Sequence, residues 1–327
     1  MNPENISGNP NPVSAECDNN KYDKLSPEIK SVIEKIAGEA NVYYDEPMKK
    51  HTTFRIGGPA ECFVTVGDRD TLKEIISFTR KNGIPVFLLG NGSNILVSDT
   101  GVKGLVIALS GEFNEVRTDG EFLYAGAGAT MARMASEALN SGLTGLEFAA
   151  GIPGTLGGGM IMNAGAYGGE FKDVTESVDV IGPDGEIATL SNEEMRFGYR
   201  TSFIKNKDYI VIGAKIKLTK GNPEEIKALM ADLAERRRSK QPLEYPSAGS
   251  TFKRPEGYFA GKLISDSGLG GFAVGDAEVS VKHNGFVINK GNASAADVKE
   301  LIDKVRAKVL EDSGVELEPE VIFLGEF

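Results

Sequence analysis

Cysteine and histidine are scarce in this sequence, and their scarcity narrows the chemistry that the chain can perform. Only Cys17 and Cys62 occur in 327 residues, too few for a disulfide framework. His51 and His283 are the only histidines, and neither cysteine lies in a cluster with metal-ligand spacing, so no metal site is expected. A Ser-His-Asp hydrolase is also disfavoured, because the sequence has no GxSxG motif.

Positive charge and long apolar runs are scarce as well. The chain has 36 Lys and Arg residues against 47 Asp and Glu residues, a net charge of −11. Such an acidic chain lacks the basic footprint that general nucleic-acid binding needs. No apolar run approaches the roughly 20 residues of a membrane-spanning helix, and the amino terminus has no apolar signal segment. We expect a cytoplasmic protein with no nucleic-acid, membrane or obligate protein partner.

Glycine, by contrast, is abundant, with 40 residues. Nine of them fall between residues 145 and 170, a segment that has no Lys or Arg. A second short loop, GNGSN at residues 90–94, follows an apolar run. A backbone without Cβ atoms can approach a ligand closely and direct consecutive N–H groups at an anion. The two loops therefore predict a diphosphate site, although glycines that only permit tight turns remain an alternative.

The distribution of apolar residues predicts an α+β fold in several parts. Residues 1–24 are rich in Asn, Pro and Ser and predict a disordered extension. Residues 25–57 predict a helix and a lead-in segment, with Ser26 as the N-cap and Pro27 at the first helical position. Residues 58–222 predict the glycine-rich first domain, with a strand, a helix and a strand from about residue 60 and two later strands around the turn Pro183-Asp184-Gly185. Residues 223–327 predict a smaller second domain, which starts at a helix opened by Asn222 and Pro223 and contains a last helix that stops at Gly314.

Three residues stand in contexts that favour chemistry. Arg200, in FGYRTSFIK, lies in a predicted loop entering a strand, where its guanidinium can hold a carboxylate by two parallel hydrogen bonds. Ser250 lies in a glycine-containing turn. Glu320 directly precedes an apolar strand, where partial burial raises a carboxyl pKa and lets the group donate a hydrogen bond. The plainer alternatives are a solvated arginine, a turn serine and a solvated strand-end carboxylate.

Eight segments, taken in order from about residue 45, resemble the UDP-N-acetylenolpyruvoylglucosamine reductase (MurB) family. They are HTTFRIGGPA, LLGNGSNILVSD, GIPGTLGGGMIMNAGAYGGE, FGYRTSFIK, RRRSKQPLEYPSAGSTFKRP, AGKLISDSGL, EVSVKHNGFVINK and LEPEVIFLGE. AGKLI and VSxKHxGF are similar to the shorter, class II members. No insertion follows Arg200, where class I members carry a loop whose tyrosine covers the substrate. The resemblance therefore assigns neither the way the site closes nor the NADPH contacts and the oligomeric state.

The resemblance implies an FAD-binding domain of the vanillyl-alcohol-oxidase/p-cresol-methylhydroxylase type and a smaller α+β substrate-binding domain. It implies NADPH-dependent reduction of the enolpyruvyl ether of UDP-N-acetylglucosamine to UDP-N-acetylmuramate, a step in peptidoglycan precursor synthesis. The glycine loops contain no His or Cys, which favours noncovalent FAD. Another FAD-dependent oxidase of sugars or alcohols on the same fold is the alternative.

The resemblance also assigns roles to individual residues. Arg200, Ser250 and Glu320 match the family's catalytic residues. Lys240 matches a lysine that contacts the substrate phosphates, with Arg237 and Tyr199 as further substrate-binding residues. The cofactor-binding positions expected in the two glycine loops are Gly90, Asn91, Gly92, Ser93, Asn94, Pro153, Gly154, Thr155, Gly158 and Asn163.

Overall fold

The computed structural model describes residues 24–327, and the predicted disordered extension lies outside the described residues except for Lys24. In that range the chain forms eight α-helices. They are α1 (Pro27–Ala37), α2 (Arg69–Lys81), α3 (Met131–Asn140), α4 (Leu156–Met162), α5 (Asn192–Met195), α6 (Pro223–Lys240), α7 (Ala260–Asp266) and α8 (Ala295–Ser313). None of these helices is long and apolar enough to cross a membrane.

The strands of the described residues form three larger sheets and three two-stranded pairs. They are β1 (Val42–Pro47), β2 (Pro59–Val66), β3 (Val86–Leu89), β4 (Ile95–Val97), β5 (Val102–Leu109), β6 (Val116–Asp119), β7 (Phe122–Gly126), β8 (Leu143–Thr144), β9 (Gly165–Ala166), β10 (Gly169–Glu170), β11 (Thr175–Ile181), β12 (Ile187–Ser191), β13 (Ile210–Lys217), β14 (Thr219–Lys220), β15 (Ala273–Val274), β16 (Ala277–Val279), β17 (Val287–Asn289) and β18 (Ile322–Leu324).

Local capping signals set the helix ends where the sequence predicts them. The Ser26 side chain accepts a hydrogen bond from the Ile29 amide, with Pro27 at the first helical position of α1. Asn222 caps α6 in the same way, again before a proline. Helix α8 ends at Gly314, whose φ of +70° is accessible to glycine without a Cβ clash. The predicted starts of α1 and α6 and the predicted end of α8 are confirmed.

The first sheet has the order β1-β2-β5-β3. Strands β2, β5 and β3 are parallel, and β1 runs antiparallel to β2. Helix α2 covers this sheet with Leu72, Ile75 and Ile76, which recur at helical spacing and are fully buried. The predicted strand, helix and strand from residue 60 onward are therefore confirmed, and β3 delivers the chain to the GNGSN loop.

The second sheet has five antiparallel strands in the order β12-β11-β13-β7-β6. The predicted hairpin around Pro183-Asp184-Gly185 is β11 and β12. Helices α3 and α4 pack against this sheet around Met134, Leu156 and Met160. Helix α4 follows the loop at residues 151–155, so the glycine-rich segment at residues 145–170 contributes to this core.

The carboxyl-terminal part packs α7 and α8 on the sheet β15-β16-β17. Its core also takes in Phe54, Ile56 and Leu96 from the first part of the chain. The last strand, β18, returns to pair in parallel with β4, with Ile322 opposite Ile95. This pairing places Glu320 beside the GNGSN loop. The predicted domain boundary at residue 223 stays a prediction.

Candidate active site

The two glycine-rich loops lie side by side. The Asn91 side-chain amide donates to the Pro153 carbonyl at 3.0 Å, which joins residues 90–94 to the loop before α4. A Cβ atom on Gly90 would lie 2.5 Å from the Thr155 hydroxyl oxygen, so only glycine allows this approach. The two loops are separate features in the sequence, and the structure brings them into direct contact.

The loop at residues 90–94 presents backbone N–H donors that the protein itself does not use. None of the N–H groups from Gly90 to Asn94 has a hydrogen-bond acceptor within residues 24–327. The Gly92 backbone has a φ of +59°, and its carbonyl accepts from the Thr53 amide at 3.1 Å, which fixes the loop from behind. Unpaired, pre-oriented N–H groups suit a diphosphate in an acidic protein, so the residues present fit FAD.

The remaining expected cofactor positions differ in what their side chains do. Asn163 is fully buried, and its side chain is occupied within the protein: Nδ2 donates to Glu170 Oε2 at 2.7 Å and to the Gly198 carbonyl at 3.0 Å. Asn94 donates to the Glu320 carbonyl at 3.1 Å. Both amides thus connect the glycine loops to the segments that carry Arg200 and Glu320.

Arg200 lies at the tip of a tight turn and not at the entry to a strand, because β13 begins only at Ile210. Gly198 and Thr201 exchange backbone hydrogen bonds of 3.0 and 3.3 Å around the turn. Arg200 takes a φ of +54°, a region that non-glycine residues adopt at a cost of about 1–3 kcal/mol. The sequence around Arg200 gave no signal of this conformation, which directs the side chain towards the carboxyl-terminal segment.

Arg200 and Glu320 form an ion pair although 120 positions separate them. Arg200 Nε donates to Glu320 Oε1 at 2.7 Å, and Nη2 lies 3.5 Å from the Gly165 carbonyl oxygen. The Glu320 side chain is only 12% exposed. Burial raises the pKa of Glu320, and this effect outweighs the neighbouring cations that lower it, with Arg200 the largest of them. The predicted partly desolvated carboxyl is confirmed, and the end of the Arg200 fork remains open to a ligand.

Ser250 reaches the same place through backbone pairing. The Glu320 amide donates to the Thr251 carbonyl at 2.8 Å, and Phe252 pairs with Pro319. Gly249, with a φ of +75°, turns the chain just before Ser250, whose side chain is exposed. Its hydroxyl has no hydrogen-bond partner among the residues that the structure describes, so it is free to act on a ligand.

Lys205 is a charged residue beside this cluster that the sequence analysis did not single out. Its Nζ donates to the Arg200 carbonyl at 2.9 Å, and burial lowers its pKa. The motif FGYRTSFIK contains this lysine but gives no local signal of its role, because its contact with the Arg200 carbonyl depends on the fold of the turn. Lys253 lies nearby and pairs with Glu318 at the surface.

The expected substrate-binding residues are more dispersed. Arg237, on α6, donates to the Gly151 carbonyl and so supports the loop at residues 151–155. Lys240 is exposed at the end of α6, with no ion pair within residues 24–327. Tyr199 is 56% exposed, and its hydroxyl accepts from the Arg254 amide at 3.1 Å. Tyr199 also borders a groove of about 510 Å³, lined further by Lys253, Arg254, Pro255, Glu256, Tyr258, Val315, Glu316 and Glu318.

A single methyl group at Gly90 tests the role of the paired loops. We expect Gly90→Ala to weaken flavin binding by about tenfold to a hundredfold, because its Cβ forces Thr155 away and overpacking costs about 1–3 kcal/mol. Flavin fluorescence during titration of apoprotein measures the affinity. Gly67→Ala is the matched control, since its Cβ makes only an ordinary contact of 3.7 Å to Ser110. Equal affinities for both variants would contradict a cofactor site at this junction.

Comparison with known proteins agrees with this geometry. A family model described as FAD binding domain matches residues 60–191. A second, described as the carboxyl-terminal domain of UDP-N-acetylenolpyruvoylglucosamine reductase, matches residues 241–324. The unpaired amides of residues 90–94 lie in the first matched range, and Ser250 and Glu320 lie in the second. The predicted α+β fold, with an FAD-binding domain and a second carboxyl-terminal domain, is confirmed.

Whole-chain relatives carry the same description. The UDP-N-acetylenolpyruvoylglucosamine reductase of Caldanaerobacter subterraneus subsp. tengcongensis is 52% identical over 90% of this chain and 97% of its own length. That of Agathobacter rectalis is 50% identical over 91% of this chain and 98% of its own. The crystal structure of the Thermus caldophilus enzyme matches with a TM-score of 0.75 and 40% identity, covering 85% of this chain and 97% of that one.

Proposed function

The chain belongs to the UDP-N-acetylenolpyruvoylglucosamine reductase family, and on that premise we propose that Arg200, Ser250 and Glu320 carry its reaction. The enzyme is an NADPH-dependent flavin oxidoreductase that reduces the enolpyruvyl ether of UDP-N-acetylglucosamine to UDP-N-acetylmuramate, a step of peptidoglycan precursor synthesis. The predicted family, activity and FAD cofactor are confirmed. The assignment of residues to steps is our proposal.

The backbone amides of residues 90–94 would hold the diphosphate of FAD, and the bound flavin would supply the hydride that the β-carbon of the enolpyruvyl group gains. The substrate then carries negative charge, which its carboxylate shares as an enediolate. Arg200 is placed to bind that carboxylate with the open end of its guanidinium, while Nε stays on Glu320. A cation fixed in a half-buried turn stabilises developing charge more strongly than a solvated one does.

Ser250 and Glu320 complete the reaction in different ways, Ser250 by donating a proton and Glu320 by donating a hydrogen bond. Ser250 donates the proton that the substrate α-carbon gains. A neutral hydroxyl is a weak acid, but a carbanion-like enolate is a strong base, so the transfer is feasible. Glu320, when protonated, donates a hydrogen bond to the substrate carboxylate and adds to the charge stabilisation.

The observation that carries the proposal is the convergence of Arg200 and Glu320 at 2.7 Å, with the Ser250 segment hydrogen-bonded to Glu320. A coupled assay tests the activity. We expect NADPH consumption that depends on the enolpyruvyl sugar nucleotide, with one NADPH used per product and a product heavier by two hydrogen atoms. Oxygen consumption driven by a sugar or an alcohol, without NADPH, would support the oxidase alternative.

The pH dependence tests the role of Glu320. Because the protonated carboxyl is the active form, reduction of the sugar nucleotide slows as the pH rises through the raised pKa of Glu320. Glu320→Gln removes this fall in rate at high pH, the pH limb of the reaction, since an amide donates its hydrogen bond at every pH. We expect its rate to stay within about tenfold of the low-pH rate of the natural protein.

The same variant also has a signature in stability. A folded-state pKa above the unfolded value means that the folded protein binds the proton more tightly, so the free energy of unfolding falls as the pH rises between the two values. Glu320→Gln removes that contribution. Glu311→Gln is the matched control, because this carboxylate lies on α8 outside the site and is 73% exposed. A pH limb that persists in Glu320→Gln would contradict the assignment.

We propose the further contacts and the location on narrower grounds. Lys240, at the exposed end of α6, is free to meet the substrate phosphates, and Arg237 supports the adjacent cofactor loop. Tyr199 and the groove beside it suit the sugar nucleotide. A chain with two cysteines fits a reducing compartment, and we place the reaction in the cytoplasm, with no nucleic-acid or membrane partner.

A further inference from the structure

We propose that Lys205 is a positioning residue for this reaction: its ammonium group holds the turn that carries Arg200 and thereby sets where the guanidinium meets the substrate carboxylate. The inference rests on the proposed roles of Arg200 and Glu320. Lys205 is half-buried, and its bond to the Arg200 carbonyl is 2.9 Å long. Lys205 lies five residues after Arg200, so the segment that forms the turn also supplies the side chain that binds the carbonyl at its tip.

The Arg200 turn needs such support because its backbone is strained. A φ of +54° is a region that arginine adopts only when its surroundings impose it. The two sides of the turn are fixed by other groups: Asn163 binds the Gly198 carbonyl at 3.0 Å, and the Ser202 hydroxyl binds the Ile161 carbonyl at 2.9 Å. The carbonyl of Arg200 itself, at the tip, is held by Lys205.

The charge of Lys205 gives it a second effect on the same site. Lys253, Glu318 and Glu320 face its ammonium group, and Arg200, Lys205 and Lys253 face the Glu320 carboxyl. Each of these cations favours the charged form of Glu320, and so opposes the burial that keeps its proton in place. Removing the charge of Lys205 therefore lets Glu320 keep its proton to higher pH.

Two variants of the holoenzyme separate these effects from a general structural role. Lys205→Met removes both the donor and the charge and keeps a similar length, whereas Lys205→Arg keeps a donor and a charge. Lys207→Met is the matched control, because this exposed neighbour only stacks over the Phe203 ring, at 3.3 Å. The measurements are anaerobic rates of flavin reduction by NADPH and of reoxidation by the enolpyruvyl sugar nucleotide, across a range of pH.

For Lys205→Met we expect reoxidation about tenfold to a hundredfold slower at its maximum, the range that a misplaced catalytic group produces. Its pH limb moves to higher pH, while reduction by NADPH stays within about twofold of the natural rate. Lys205→Arg recovers most of the rate and the original pH limb. Lys207→Met behaves as the natural protein does.

Three results would overturn the inference. They are an unchanged reoxidation rate in Lys205→Met, equal losses in both half-reactions, or a lower rate with an unmoved pH limb. If Lys205→Met does not fold, Lys205→Arg decides alone. A reoxidation rate for Lys205→Arg that is about tenfold or more below the natural rate then contradicts the proposal. Failure of the proposed function is distinguishable, because the natural enzyme itself would then not be reoxidised by the sugar nucleotide.

Discussion

Replacing Ser250 with alanine is expected to slow reoxidation of the reduced flavin by the enolpyruvyl sugar nucleotide about 10²- to 10⁴-fold, the usual contribution of a positioned proton donor. Reduction of the flavin by NADPH should proceed at nearly the natural rate, because that step protonates no substrate carbon. The physical reason is the free hydroxyl of Ser250, exposed after Gly249 and placed beside Glu320 by backbone pairing. Anaerobic stopped-flow absorbance measures both rates.

The matched control for Ser250→Ala lies three residues earlier in the same segment. The Ser247 hydroxyl has no hydrogen bond among the described residues, and only its backbone contacts Thr53 and Ile288. Ser247→Ala should therefore leave both half-reactions unchanged. Equal losses in the two half-reactions of Ser250→Ala would show that the serine supports the fold of the site and does not donate the proton.

Arg200→Lys is expected to lower the reoxidation rate about 10²- to 10³-fold, the effect of removing one preorganised donor from a developing anion. Lysine keeps the positive charge but loses the planar fork, so it cannot offer two parallel hydrogen bonds to the substrate carboxylate while a third donor stays on Glu320. The apparent affinity for the substrate should fall as well, because the lost contact already exists before the chemical step.

Arg196→Lys is a demanding control for this prediction. Arg196 is on the same segment and also has a positive φ, +44°, but it only packs over the Phe203 ring. Lysine at this position should leave the reoxidation rate within about threefold, since a cation–π contact at an exposed site contributes only about 0.5–1 kcal/mol. Comparable losses in Arg196→Lys and Arg200→Lys would mean that replacing any arginine of this segment lowers the rate, and that the fork at Arg200 has no special role.

Local sequence signals were sufficient for most secondary structure. Ser26 with Pro27, Asn222 with Pro223, and Gly314 mark helix ends through interactions between near neighbours in the chain, which a sequence displays directly. The order of the eight motifs then identified the family and its cofactor, because they follow one another over most of the chain. Glycine content alone would have supported only a loop-rich protein.

The geometry of the site depends on long-range contacts that no local pattern encodes. The pairing of β18 with β4 brings Glu320 beside residues 90–94, and the bond from Asn94 fixes it there. The positive φ of Arg200 is imposed by Asn163 and the other groups around its turn, against its own preference. For the same reason Asn163 was predicted from its loop as a cofactor contact, whereas its amide is buried among protein groups.

One measurement tests the central claim most directly: the flavin absorbance of the purified protein under strictly anaerobic conditions. We predict that NADPH bleaches the flavin band and that one equivalent of the enolpyruvyl sugar nucleotide restores it, with Ser250→Ala bleaching normally and recovering about 10²- to 10⁴-fold more slowly. A band that returns only when oxygen is admitted would contradict the account. So would a Ser250→Ala variant that recovers as fast as the natural protein.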